Sequence, residues 1–209
     1  MYRRAIFCVT LAILMVPADF SSAQVNDTAL SEAENVPPKG FRALFNGRDL
    51  KGWKSRGDAS EHYSVQDGVL AYDGQGSSLM TVDEFDNFIL FVDWKAGDKG
   101  NSGVFLRGGA TQVELNNADG PPRTIWNGTT GGLYPDKPPL KRAARPAGEW
   151  NRLEIRVENG VISVFTNQEK TIDRFAKEWG KRTQGPIGFQ HHGTPFWIKK
   201  VFIQPLTTP

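Results

Sequence analysis

Cysteine is nearly absent from this 209-residue chain: its single copy, Cys8, lies inside an N-terminal apolar run. One thiol cannot form an intrachain disulfide or a cysteine metal cluster, and loss of the N-terminal segment would leave no sulfur nucleophile. Long hydrophobic stretches are missing too. The run from Ala5 to Val16 has twelve residues, about 18 Å of helix against a hydrocarbon core of roughly 30 Å, so no membrane span is expected. Neither sign of charge dominates, since 25 Lys and Arg against 23 Asp and Glu leave +2, too weak a field to attract nucleic acid. A Gly-x-Ser-x-Gly elbow, a phosphate loop and a dinucleotide fingerprint are all lacking, which argues against a serine nucleophile and against an organic cofactor. Histidine occurs three times, and His-Glu-x-x-His does not occur, so any metal site must be assembled from distant segments.

The N-terminus has the layout of an export signal. Arg3 and Arg4 precede the apolar run, and Ser21 and Ala23 supply the small residues of a cleavage site. Residues 1–23 are therefore expected to be removed, giving a secreted or periplasmic protein that starts at Gln24 with a net charge of +1. With no cysteine at the cut, a lipid anchor there is excluded. Residues 24–39 are polar and aperiodic, end in Pro37-Pro38, and read as a flexible tether. Residues 40–206 then form one domain. Nothing in the pattern specifies an oligomeric state.

Glycine and proline, at 22 and 13 copies without a period, point to many turns between short elements. Phe88 to Lys95 alternates, with Phe88, Leu90, Val92 and Trp94 on one face and Ile89, Phe91, Asp93 and Lys95 on the other. Arg152 to Val157 alternates as well. Asn159-Gly160 then supplies a tight hairpin turn into Val161 to Thr166. Further runs at Tyr63 to Ala71, Gly103 to Arg107, Gln112 to Asn116, Gly185 to Gln190 and Phe196 to Ile203 suffice for an all-β sandwich of two antiparallel sheets. One or two helical turns are expected within 171–181, where Phe175 and Trp179 are four apart.

Gln112, Glu114 and Asn116 stand two apart, so one face of their strand is a polar comb while Val113 and Leu115 face the core. Amides around a single carboxylate suit sugar hydroxyls. In His191-His192, neighbouring side chains on extended backbone point opposite ways, so one of the two can enter a pocket. The segment 119–148 is long and rich in Pro and Gly. Trp126, Tyr134 and Lys141 lie along it, and it is expected to flank a site, with Tyr134 or Lys141 touching ligand.

Five strings in order carry a resemblance: Gly40-Phe41-x-x-Leu44-Phe45-Asn46-Gly47-x-Asp49-Leu50-x-Gly52-Trp53; Asp67-Gly68-Val69-Leu70; Gly100-Asn101-Ser102-Gly103-Val104-Phe105-Leu106-Arg107; Arg145-Pro146-x-Gly148-Glu149-Trp150-Asn151; and Gly185-Pro186-Ile187-Gly188-x-Gln190-x-His192-Gly193-x-Pro195-x-Trp197. Together they resemble the 3-keto-disaccharide hydrolase domains over Gly40 to Pro205. The resemblance implies a concanavalin-like jelly roll with a concave carbohydrate-binding face, in exported bacterial proteins that act on glycosides oxidised to a ketone at sugar carbon 3. The family's Tyr-Glu-x-Gln corresponds to Val113-Glu114-Leu115-Asn116, its Asp-His-Gly to His191-His192-Gly193, and its Phe-Arg-Asn-Ile to Ile198-Lys199-Lys200-Val201. Glu114 and His192 are thereby the expected catalytic pair, and the candidate ligands if one divalent metal ion is bound.

Ordinary glycoside hydrolysis uses two carboxylates about 5 to 9.5 Å apart, and the comb has one. A ketone at carbon 3 acidifies the proton on carbon 2, so one base suffices for elimination at carbon 1, followed by hydration. His192, Lys95, Arg107 or a metal ion can then hold the developing enolate. Substrate contacts are expected from Asp93, Lys95, Arg107, Gln112, Asn116, Tyr134, Lys141 and Trp197. Two alternatives remain: a non-catalytic, lectin-like carbohydrate-binding module using Trp126, Tyr134 and Trp197, and a retaining glycosidase with Asp93 as its second acid.

Overall fold

The computed structural model describes residues 35–116 and 124–207. The expected export signal, the tether as far as residue 34 and residues 119–123 of the long loop lie outside the described residues. Fourteen strands are assigned among the described residues: β1 (Arg42–Ala43), β2 (Trp53–Lys54), β3 (Tyr63–Gln66), β4 (Val69–Tyr72), β5 (Leu79–Phe85), β6 (Phe88–Ala96), β7 (Asn101–Leu106), β8 (Thr111–Asn116), β9 (Leu133–Tyr134), β10 (Asn151–Glu158), β11 (Val161–Thr166), β12 (Glu169–Ala176), β13 (Gly185–Phe189) and β14 (Phe196–Pro205). A single 3₁₀ turn, Ala59–Glu61, is the helical content among them.

The strands form two antiparallel sheets. One has eight strands in the order β12-β11-β10-β6-β14-β4-β3, with β1 also beside β14; the other has six in the order β2-β5-β13-β7-β8-β9. This is the two-sheet sandwich that the alternation predicts, and the jelly roll that the resemblance implies. Phe88, Leu90, Val92 and Trp94 are fully buried, as are Leu153, Ile155 and Val157 on neighbouring β10. The turn pairs Asp67-Gly68 and Asn159-Gly160 all take positive φ, between 50° and 81°, as two-residue hairpin turns of this hand require.

Two local expectations are corrected. Helical turns do not form over 171–176, because β12 pairs with β11 there. A register irregularity in that pairing sets Ile172 and Phe175 inward three residues apart, a spacing that imitates a helix in the sequence. The last residues of the expected tether are also not free, since Asn35 donates its side-chain amide to the carbonyl of Phe45 at 2.6 Å.

Candidate functional site

The six-stranded sheet is built in rungs. Leu79, Phe189, Val104, Val113 and Leu133 oppose one another across β5, β13, β7, β8 and β9, and each is fully buried. One residue along, the side chains project from the opposite face, as the strand period of two demands. That rung reads Met80, Gly188, Phe105, Gln112, Tyr134. Next to it Gly103 opposes Glu114, and the backbone N–H of Gln190 donates to the Gly103 carbonyl. Glycine is required at two of these places by close approach. A Cβ on Gly188 would lie 2.2 Å from Met80 Sδ, and one on Gly103 would lie 3.0 Å from Gln112 Cδ. With no side chain there, Gln112 can reach across β7.

Gln112 uses that space. Its Nε2 donates to Glu114 Oε1 at 2.5 Å and to Gln190 Oε1 at 3.2 Å. Glu114 is 3% exposed. Burial pushes its carboxyl pKa up to about 7, against the smaller opposing effect of the Gln112 hydrogen bond, which favours the charged form. The result is a carboxylate that takes and releases protons near neutrality.

The long loop supplies one wall. Gly131 N–H donates to the Glu114 carbonyl, Glu114 N–H donates to the Gly132 carbonyl, and Tyr134 opposes Gln112 with 45% of its surface exposed. Asn116 shares the comb's face but spends its side-chain amide on the Gly128 carbonyl, and its backbone N–H on Thr130 Oγ1. It therefore anchors the wall. Thr111 Oγ1 donates to the Tyr134 carbonyl, and Lys177 Nζ pairs with Asp136 at 2.6 Å, which fixes the stretch that carries Tyr134.

Other expected site residues are placed elsewhere. Asp93, Lys95 and Trp197 lie on the outer face of the eight-stranded sheet, across the core from Glu114. Asp93 is buried in a bidentate pair with Arg152, at 2.6 and 2.8 Å. Sheets pack about 10 Å apart and these side chains point away from each other, so Asp93 cannot act as a second acid beside Glu114. Lys95 Nζ stands over Trp150 and Trp197, 5.1 and 5.0 Å from the ring centroids. Arg107 follows the last residue of β7, four positions from Gly103 and so about 13 Å along the strand. It is buried there between Asp86, at 2.6 Å, and the Trp179 ring. Lys141 pairs with Glu169 at 2.6 Å, beyond the wall.

The histidines divide unequally. His191 lines a recess with Lys54, Arg56 and Ser78, its backbone N–H donates to Ser78 Oγ at 2.9 Å, and its Nδ1 meets the Tyr72 hydroxyl. Burial pushes the Tyr72 hydroxyl pKa up to about 12, so the phenol keeps its proton. His192 is exposed. Gln190 was missed as a site residue although alternation could have found it: Ile187 and Phe189 are buried, which sends Gly188 and Gln190 to the open face. No group of three or more His, Cys, Asp or Glu side chains gathers among the described residues.

A two-sheet sandwich with a glycine-floored, amide-rich face around one buried carboxylate has the architecture of carbohydrate-active jelly rolls. More narrowly, the chain belongs to the 3-keto-alpha-glucoside-1,2-lyase-like domain family, whose profile matches residues 40–204. A 3-keto-disaccharide hydrolase of Bacteroides thetaiotaomicron is 24% identical over 232 aligned positions, covering 82% of this chain and 80% of that protein. A crystal structure from Parabacteroides distasonis, of a protein assigned as a glycosyl hydrolase, superposes with a TM-score of 0.70 at 27% identity, covering 83% of this chain and 99% of that one. A β-1,3-1,4-glucanase (lichenase) from a mouse hindgut metagenome, at TM-score 0.55 and 12% identity over 79% of this chain and 98% of its own, shares the fold.

Proposed function

We propose that this chain is an exported enzyme that cleaves 3-keto-glycosides or 3-keto-disaccharides with Glu114 as its single base. The observation that carries this reading is a buried carboxylate with a pKa of about 7 among amides, matched in basicity to proton transfer at neutral pH. Ionised Glu114 takes the proton from carbon 2. The electron pair is delocalised into the carbon 3 ketone as an enolate, then returns to form a double bond between carbons 1 and 2 as the bond from carbon 1 to the leaving oxygen breaks. The departing oxygen takes a proton, for which exposed His192 is the proposed donor. Water then adds at carbon 1 and a proton returns to carbon 2, so the net change is hydrolysis. Gln112 aligns the carboxylate and favours its ionised form, while the amide N–H groups of Gln190 are donors for a sugar oxygen on the same face.

Product analysis of a 3-keto disaccharide incubated in heavy water tests the scheme. Elimination followed by hydration leaves deuterium on carbon 2 of the released 3-keto sugar, beyond what the free sugar exchanges by itself. Release without such label overturns the elimination step, and binding without release favours a lectin-like module. The same incubation with a chelator tests for a metal ion. Lost activity restored by a divalent ion would make a bound metal the enolate stabiliser, with Glu114 and His192 its first candidate ligands.

A further inference from the structure

The open face of the six-stranded sheet continues past Gln190 into a recess of about 570 Å3, lined among others by Lys54, Arg56, Ser55, Ser78, Met80 and His191. It shares the sheet face of Glu114. Lys54 opposes Met80, Met80 opposes Gly188, and Gly188 leads through Phe105 to Gln112. Ser78, immediately before β5, is three strands from β8, which is about 14 Å at the usual strand spacing. A disaccharide carrying a charged substituent spans that separation.

Among the described residues, no carboxylate lines the recess. Lys54 and Arg56 make no ion pair or hydrogen bond among the described residues, and both are exposed. Of the acids nearby, Asp58 accepts from Ser60, Asp73 holds His62 at 3.1 Å, and Glu61 lines the adjoining recess, which shares Arg56, without lining this one. His191, held by Tyr72 and Ser78, adds an imidazole ring. A sugar hydroxyl needs an acceptor as well as a donor, and binding faces for neutral sugars supply both. Here the side chains offer an ammonium, a guanidinium, an imidazole and serine hydroxyls, a set in which the two fixed charges are both positive. An oxyanion needs donors alone, and a guanidinium meets a carboxylate or phosphate with two parallel hydrogen bonds.

We infer that this recess is a subsite for an anionic group, a carboxylate or a phosphate monoester, on the sugar beyond the bond that is cleaved. The inference rests on the reading of the Glu114 face as a glycoside site. It gives the substrate a class: acidic rather than neutral glycosides.

Calorimetric titration of the full chain with three unoxidised disaccharides tests it: one neutral, one ending in a uronic acid, one ending in a 6-phosphate sugar. The wild-type protein should bind at least one charged sugar about tenfold more tightly than the neutral one, and added salt should shrink the difference. The stronger of the two charged ligands identifies the anion. The double variant Lys54→Ala, Arg56→Ala, which alters only exposed side chains, should keep its melting temperature and bind all three sugars at the neutral level. Equal affinities in the wild type, no detectable binding of the charged sugars, or a charged preference that survives in the double variant would overturn the subsite. These sugars bear no ketone, so the result does not depend on turnover. A charged preference without cleavage of 3-keto sugars would instead count against the role given to Glu114.

Discussion

Gln112 donates its side-chain amide to Glu114, two residues further along the same strand, and the bond is made over the vacant surface of Gly103. The carboxylate is thus buried by its wall and neighbours yet kept titratable near neutrality. Its two protonation states leave separate marks on activity and on stability.

Glu114→Gln should lower turnover of a 3-keto glycoside by about 10²- to 10⁴-fold, the usual contribution of a general base. It should also stabilise the fold at alkaline pH. The folded pKa of about 7 stands above the unfolded value of 4.5, so between those values the folded state binds more protons and stability falls as pH rises. The ionised carboxylate then costs the wild type roughly 3 kcal/mol above pH 7 and nothing below pH 4.5. Denaturant titrations at pH 8 and pH 4.5 should show the variant's gain at the first and not at the second. A gain independent of pH would remove Glu114 as its source.

Gln112→Ala removes the one hydrogen bond that lowers the Glu114 pKa. The acid limb of the rate profile should move upward by about one pH unit, given what a hydrogen bond to a charged group is worth. A profile unmoved while the maximal rate falls would mean that Gln112 contacts substrate without tuning the base.

Alternation in the sequence reveals faces, and it succeeds wherever one strand suffices. Val113 and Leu115 declare the core side of β8, which puts Gln112 and Glu114 on the other. It cannot tell which sheet a strand joins. Asp93 and Lys95 are turned away from the core, as the alternation predicts, but they and Trp197 belong to the eight-stranded sheet, a fact fixed by pairing between β6 and β14 about a hundred residues apart. Arg107 and Lys141 are attractive as free cations until their acidic partners, Asp86 and Glu169, are brought to them by folding. The recess around Lys54, Arg56 and His191 has the same origin. Its three segments meet through the pairing of β5 with β2 and β13, and no local pattern announces it.

The two adjacent histidines should separate in opposite directions. His191 packs edge-on against Tyr72, with ring centroids 6.0 Å apart, and its imidazole bonds the phenol. His191→Ala should therefore cost about 1 to 2 kcal/mol of stability. His192 is exposed, so His192→Ala should change stability by less than about 0.5 kcal/mol while reducing turnover if it protonates the leaving oxygen. Melting curves and initial rates on both variants decide. Full turnover in His192→Ala would assign that proton to another donor.

The glycine floor makes the last prediction. A methyl group at Gly188 meets Met80 Sδ at 2.2 Å and the Leu79 carbonyl oxygen at 2.7 Å, and the second contact is with backbone that cannot swing aside. Gly188→Ala should cost about 1 to 3 kcal/mol through overpacking. At Gly103 the nearest atom is Gln112 Cδ at 3.0 Å, in a side chain that can rotate. Gly103→Ala should therefore cost less stability and push Gln112 off Glu114, raising the pH of the acid limb as Gln112→Ala does. Combining the two substitutions tests this coupling, because the Gly103 effect on the rate profile should vanish once Gln112 is already alanine. Additive shifts in the double variant would show that Gly103 acts on substrate through its own surface, independently of Gln112.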